Sequence, residues 1–219
     1  MNPRYLSVSR TARYFALGPE PGAVREIWIA LHGYAQLAER FLASLAPLDN
    51  GETHIVAPEA LSRFYLETER SGRHANLVGA TWLTREAREV DLEDHLRYLD
   101  LLREHLMHGA VHAPQLTVLG FSQGAVMAAR WVARVRQPPK HTVLWGSPLP
   151  ADVPAEALAR GLAGHPVTLV AGNVDPVVPA GSIEASADAL RAAGVPARAV
   201  RFEGGHLIPP IPLLQSAGR

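Results

Sequence analysis

Cysteine is missing from all 219 residues, which excludes disulfides, a thiol nucleophile and thiolate metal sites. Lysine is nearly missing too, because Lys140 stands alone among the 21 basic residues and the other 20 are arginine. No charge of one sign prevails, since 21 acidic residues balance the basic ones. The chain therefore lacks the electrostatic footprint of a nucleic-acid partner or of an anionic membrane surface. No run approaches the roughly 18 apolar residues of a spanning helix, and Met1 to Arg10 lacks the apolar centre of a secretory signal. These absences predict a cytoplasmic protein with no stable membrane insertion.

What the sequence does have is an apolar fraction of 47%, enough to cover both faces of a parallel sheet in one α/β domain spanning residues 1–219. The chain is organised around Gln115 to Arg130, QLTVLGFSQGAVMAAR. Leu116 to Leu119 reads as a buried strand and Ala125 to Val135 as a buried helix, with Gly120-Phe121-Ser122-Gln123-Gly124 between them. Strand, G-x-S-x-G and helix make a nucleophile elbow. So tight a reversal forces the serine into a strained conformation, and a side chain on either glycine collides with neighbouring backbone. The hydroxyl is thereby presented at the positive end of a helix.

Short apolar runs alternate with helical spacing along the rest of the chain. Leu6 to Leu17 reads as an edge strand. Ile27 to Leu31 is a buried strand that ends in His32-Gly33-Tyr34-Ala35 before a helix over Gln36 to Leu45. A glycine loop in that place supplies the second backbone N–H of an oxyanion hole, so the donors are expected to be Tyr34 and Gln123. Thr53 to Ala57 is a strand that Pro58 stops. Residues 59–84 show little periodicity and carry Arg63, Phe64, Tyr65, Arg70, Arg73, His74 and Trp82, which predicts an irregular cap-like substrate loop with Tyr65 and Trp82 in the pocket. An amphipathic helix, capped by Thr84, then follows through Leu92, Leu96, Leu99, Leu102 and Leu106 to Gly109. His108 and His112 are four apart, but Gly109 breaks the helix between them, and no metal site is expected. The alternation continues with a strand over His141 to Trp145, a helix over Pro154 to Leu162, a strand over Pro166 to Ala171, a helix over Ser182 to Ala193 and a strand over Ala197 to Phe202. This pattern predicts a mostly parallel sheet with right-handed crossovers.

A serine hydroxyl needs an imidazole to take its proton and a carboxylate to hold that imidazole. Asp175 follows the strand that ends at Ala171 and His206 follows the strand that ends at Phe202. The order Ser122, Asp175, His206 is the order that α/β-hydrolase connectivity gives.

LHGY at Leu31 to Tyr34, GFSQG at Gly120 to Gly124, GNVDPVVP at Gly172 to Pro179 and GGH at Gly204 to His206 resemble the phospholipase/carboxylesterase family of α/β-hydrolases, whose small members include the acyl-protein thioesterases. PEALSRFYL at Pro58 to Leu66 and VGATWLTREAR at Val78 to Arg88 resemble a bacterial serine-esterase branch. The resemblance implies hydrolysis of small-molecule carboxylic esters through an acyl-enzyme, without metal or cofactor. Thioesterase or lysophospholipase action on the same triad, or a non-catalytic hydrolase-fold binding protein, are the alternatives. Two features depart from the family. Tyr34 stands where the family has a fuller glycine-rich loop, and Leu207 to Arg219, with three prolines, is expected to lack the family's C-terminal helix. The oligomeric state, monomer or homodimer, stays open.

Overall fold

In the computed structural model, which describes residues 2–66, 77–108, 113–162 and 164–217, the short apolar runs form the middle of a seven-stranded sheet. The chain order is β1 (Tyr14–Leu17), β2 (Glu26–Leu31), α1 (Ala38–Ser44), β3 (Thr53–Pro58), β4 (Ser62–Tyr65), β5 (Val78–Thr81), α2 (Arg88–Met107), β6 (Gln115–Phe121), α3 (Gln123–Val132), β7 (His141–Trp145), α4 (Ala155–Leu162), β8 (Val167–Gly172), α5 (Ser182–Ala192), β9 (Ala197–Phe202) and α6 (Pro210–Ser216). Across the sheet the order is β1-β3-β2-β6-β7-β8-β9. Only the edge pair β1 and β3 is antiparallel.

Alternation along β2 shows how both faces are buried. Ile27, Ile29 and Leu31 face a core shared with α2, α3, α4 and α5, whereas Trp28 and Ala30 face a second core shared with α1 and α6. Helices therefore cover both sides, as a parallel sheet requires. Among the described residues no helix is long and apolar enough to cross a membrane.

Four expectations change. The N-terminal edge strand pairs only over Tyr14–Leu17, against Ile55 to Pro58. The segment 59–84 is not wholly irregular, because β4 and β5 form an antiparallel hairpin in it. Arg70, Arg73 and His74 lie outside the described residues, as do Gly109 and His112. Thr84 does not cap α2. Its hydroxyl accepts the Glu86 N–H at 3.2 Å, and α2 starts after Ala87, which turns the chain at φ 47°. The C-terminal helix is present, as α6. Pro210 and Pro212 occupy its first turn, where backbone N–H groups have no intrahelical acceptor, so a proline there breaks no hydrogen bond. Leu213 of α6 is fully buried against the sheet.

Candidate active site

Loops at the carboxyl ends of β2, β6, β8 and β9 carry the candidate residues. The strand order reverses between β2 and β6, and connections that leave such a point in opposite directions open a crevice there. Ser122 sits in the turn from β6 to α3 with φ 54° and ψ −117°, a conformation that costs a non-glycine residue about 1–3 kcal/mol. Its neighbours have to be bare. A Cβ on Gly120 would lie 2.4 Å from Gly124 O, and one on Gly124 would lie 2.1 Å from Leu31 O. Ser122 N donates to Trp145 O at 2.7 Å, tying the turn to β7, and Ser122 O accepts the Ala125 N–H at 2.9 Å as α3 begins.

Asp175 and His206 meet directly. His206 Nδ1 donates to Asp175 Oδ2 at 2.7 Å, with the aspartate side chain 1% exposed and the imidazole 21%. Asp175 Oδ1 accepts the N–H groups of Val177 and Val178 at 2.8 and 3.2 Å, so both carboxylate oxygens are held. The imidazole packs 4.9 Å from the Phe121 ring and against Gly146, where a Cβ would come within 2.9 Å of His206 Cε1. Phe121 precedes Ser122, and Gly146 follows the residue whose carbonyl holds Ser122 N. The structure thus pairs Asp175 with His206 and lodges the imidazole against Phe121 and Gly146, beside the Ser122 turn. With Nδ1 engaged by the carboxylate, Nε2 is the ring nitrogen that Asp175 leaves free. Among the described residues Ser122 Oγ has no hydrogen-bond partner, a looseness common in such sites before substrate binds.

The loop after β2 is pinned from two directions. Gly33 N donates to Gln36 Oε1 at 2.7 Å, Ala35 N donates to Ala80 O at 2.9 Å, and Ala80 N donates to Gln36 O at 3.2 Å. Among the described residues neither the Tyr34 nor the Gln123 backbone N–H meets an acceptor. Two free donors therefore flank the elbow.

Of the two substrate-pocket residues expected from sequence, one is buried and the other exposed. Trp82 is fully buried. Its Nε1 donates to His32 O at 2.8 Å and its ring contacts those of His32 and His95, at 5.1 and 5.2 Å, so it braces the loop from within the core. Tyr65 is 71% exposed. Side chains alternate along β4, and its neighbour Phe64 is the one that meets the Tyr34 ring, at 5.4 Å. Sequence reasoning missed Thr81, His32 and His95, which bond to partners tens of residues away and leave no local spacing signal, and Gln36, whose side chain holds Gly33 while its carbonyl holds Ala80. Among the described residues no group of three or more His, Asp or Glu side chains gathers as metal ligands would.

His32 and His95 make this scaffold sensitive to acid. His32 Nδ1 donates to Gly33 O and its Nε2 accepts the Ala60 N–H. His95 Nδ1 donates to Asp91 O and its Nε2 accepts the Leu61 N–H. Both rings therefore have to be neutral. Burial pushes His32 below the usual histidine range and His95 down to about 4. An unfolded histidine protonates near 6.5, so between there and about 4 the unfolded chain binds more protons. Stability is then full above pH 6.5 and falls as the pH drops, by on the order of 3 kcal/mol for His95. His95→Gln, whose amide does not titrate, is expected to flatten the fall of the melting temperature between pH 7 and 4.5. Parallel slopes for variant and wild type are the outcome against it.

The family model described as serine hydrolase (FSH1) matches residues 28–211. No curated protein matches the chain by sequence. Among solved structures, the chain is similar to esterase PE8, with 26% identity, a TM-score of 0.73 and coverage of 95% of this chain and 98% of that one. It is also similar to a phospholipase/carboxylesterase from Dyadobacter fermentans, with 18% identity, a TM-score of 0.68 and 97% of each chain covered. Acyl-protein thioesterase 2 of Zea mays shares 18% identity with a TM-score of 0.69 over 95% of this chain and 97% of that one. The last two likenesses speak to fold alone, and the sheet is that of an α/β-hydrolase.

Proposed function

The chain belongs to the FSH1 serine hydrolase family, and from that premise we propose that it cleaves carboxylic esters of small molecules, in the cytoplasm, through an acyl-enzyme on Ser122. Ser122 Oγ attacks the acyl carbonyl while His206 Nε2 takes its proton, and Asp175 orients the ring and stabilises its charged form. The carbonyl oxygen becomes an oxyanion held by the N–H groups of Tyr34 and Gln123, with the positive end of α3 behind them. As the carbonyl re-forms, the bond to the leaving oxygen breaks and His206 hands that oxygen its proton. A water then gives a proton to His206 and attacks the acyl carbon. Collapse of the second tetrahedral intermediate releases the carboxylic acid and returns the proton to Ser122. No cofactor enters the scheme.

The observation that supports this reading most is the 2.7 Å pair of His206 and Asp175, lodged against the residues that hold the strained elbow. The same machinery acts on thioesters, since the acyl carbon is the reacting atom in both and the fold does not choose between them. The oxygen ester comes first because the likeness to esterase PE8, at 26% identity, is stronger in sequence than the likeness to the maize thioesterase.

The test is labelling by a fluorophosphonate probe, with turnover of p-nitrophenyl esters from acetate to palmitate and of matched thioesters. Stoichiometric labelling mapped to Ser122, with higher kcat/KM on the oxygen esters, is expected. A folded protein that stays unlabelled makes the chain a binding member of the family. Faster thioester turnover moves the substrate class and keeps the mechanism.

A further inference from the structure

The proposed oxyanion donors sit on two separate segments, the loop after β2 and the first residue of α3. The pairing of β2 with β6 ends at Leu31 and Gly120, three residues before each donor. The stretch that touches both is β5 with the two residues after it. On one side Ala80 is paired to the loop by the Ala35 N–H at 2.9 Å and to Gln36 O at 3.2 Å. Trp82 adds its indole N–H to His32 O at 2.8 Å. On the other side the Gln123 side chain reaches the same stretch. Its Oε1 accepts the Trp82 backbone N–H at 2.9 Å, and its Nε2 donates to Leu83 O at 2.7 Å and to Thr81 Oγ1 at 3.0 Å. An amide has one acceptor and one donor end, and here both are spent on the single stretch Thr81–Leu83.

Resting on the ester-hydrolase reading, we propose that the Gln123 side-chain amide and Thr81–Leu83 are a positioning clamp that sets the distance between the Tyr34 and Gln123 N–H groups. The clamp touches no substrate. It acts through the backbone: the residue that offers one donor is bonded, through its side chain, to the strand that holds the loop offering the other. Gly79 shows how closely that strand lies on the loop, since a Cβ there would meet Ala35 O at 2.6 Å and Ala35 Cα at 2.8 Å. An oxyanion hole works by being organised before charge develops, and a displacement on the order of 1 Å can cost about 100-fold in rate. Holding the two donors rigid to each other is therefore a catalytic requirement that neither segment meets alone.

Gln123→Met keeps the length of the side chain and removes both ends of the amide. Thr81→Val keeps the shape of Thr81 and removes its hydroxyl, and Thr81→Ser keeps the hydroxyl. The measurements are kcat and KM on p-nitrophenyl butyrate, the rate of fluorophosphonate labelling, and the melting temperature of each folded variant. Gln123→Met is expected to lower kcat and the labelling rate together by roughly 10- to 50-fold, with KM within about 3-fold of wild type. Thr81→Val is expected to show the same pattern more weakly, and Thr81→Ser to recover it. Melting temperatures that fall while kcat and the labelling rate hold within about 2-fold overturn the proposal and leave Gln123 a structural residue. A wild type that neither turns over esters nor takes the probe overturns the ester-hydrolase reading itself, and the clamp with it.

Discussion

Ser122→Ala is expected to lose ester turnover by at least ~10,000-fold and to take no fluorophosphonate label, while keeping its fold. The loss is large because the proposed reaction runs through a nucleophile on that turn and alanine supplies none. The chain has no cysteine, and the imidazole of His206 is held by Asp175 through Nδ1. On the proposed mechanism, what remains in the variant is binding and the two N–H donors, which polarise a carbonyl without supplying a nucleophile. Stability gives a second reading of the same residue. Serine and alanine are both strained at φ 54°, ψ −117°, whereas glycine enters this region freely. Ser122→Gly is therefore expected to melt higher than both Ser122→Ala and wild type, with a gain of about 1 kcal/mol or more. Measured turnover in Ser122→Ala at more than a hundredth of wild type moves the nucleophile elsewhere. A glycine variant no more stable than the alanine variant means that the elbow is not strained in solution.

The elements that the sequence makes legible are those in which chemistry is local. The strand over His141 to Trp145 falls where a continuous apolar run puts it, since burial on two faces leaves such a run no other arrangement, and the edge strand over Ala197 to Phe202 falls where alternation puts it. Ser122 is legible for a similar reason: the elbow needs glycine on each side, and Gly120 and Gly124 do lie against backbone that admits no Cβ. Asp175 and His206 can be located only because each follows a strand, and their 2.7 Å contact across 31 positions has no sequence signature. The errors arise where long-range contacts decide. An aromatic residue in an aperiodic stretch reads as pocket lining, but Trp82 is drawn inward by His32 O and packed against two buried histidines. The prolines of the tail read as helix breakers, yet two of them fall in the first turn, and Leu213 then packs α6 onto the sheet. The hairpin of β4 and β5 is opaque for a related reason. Its strands are four residues each, too short for a clear period, and β5 is held by partners on the loop after β2 and on α3.

Gly172→Ala is expected to reduce kcat by ~100-fold or more, through the pairing of Asp175 with His206 and not through loss of the fold. Gly172 ends β8, and its backbone does not need glycine's freedom, since its φ lies outside the left-handed region. Space is the constraint. A Cβ there would lie 2.1 Å from Gly204 O and 2.5 Å from Gly205 O, both backbone atoms of the turn that carries His206. That turn is also tied to the Asp175 loop by Val174 N to Gly204 O at 3.1 Å and by Gly204 N to Asn173 Oδ1 at 3.1 Å. To admit the methyl group the two loops have to part by on the order of 1 Å, enough to stretch a 2.7 Å hydrogen bond past any useful length. Because β8 and β9 are already paired up to Gly172 and Phe202, the displacement falls on the residues beyond the strands. Gly205→Ala is the matched comparison. It sits in the same turn, beside His206, but its Cβ meets nothing within 4 Å, and its kcat is expected to stay within about 3-fold of wild type. Equal losses in the two variants mean that the turn tolerates no side chain for some other reason. A Gly172→Ala protein of normal activity means that the loops yield without disturbing the pair, which removes the geometric argument for a fixed Asp175–His206 couple.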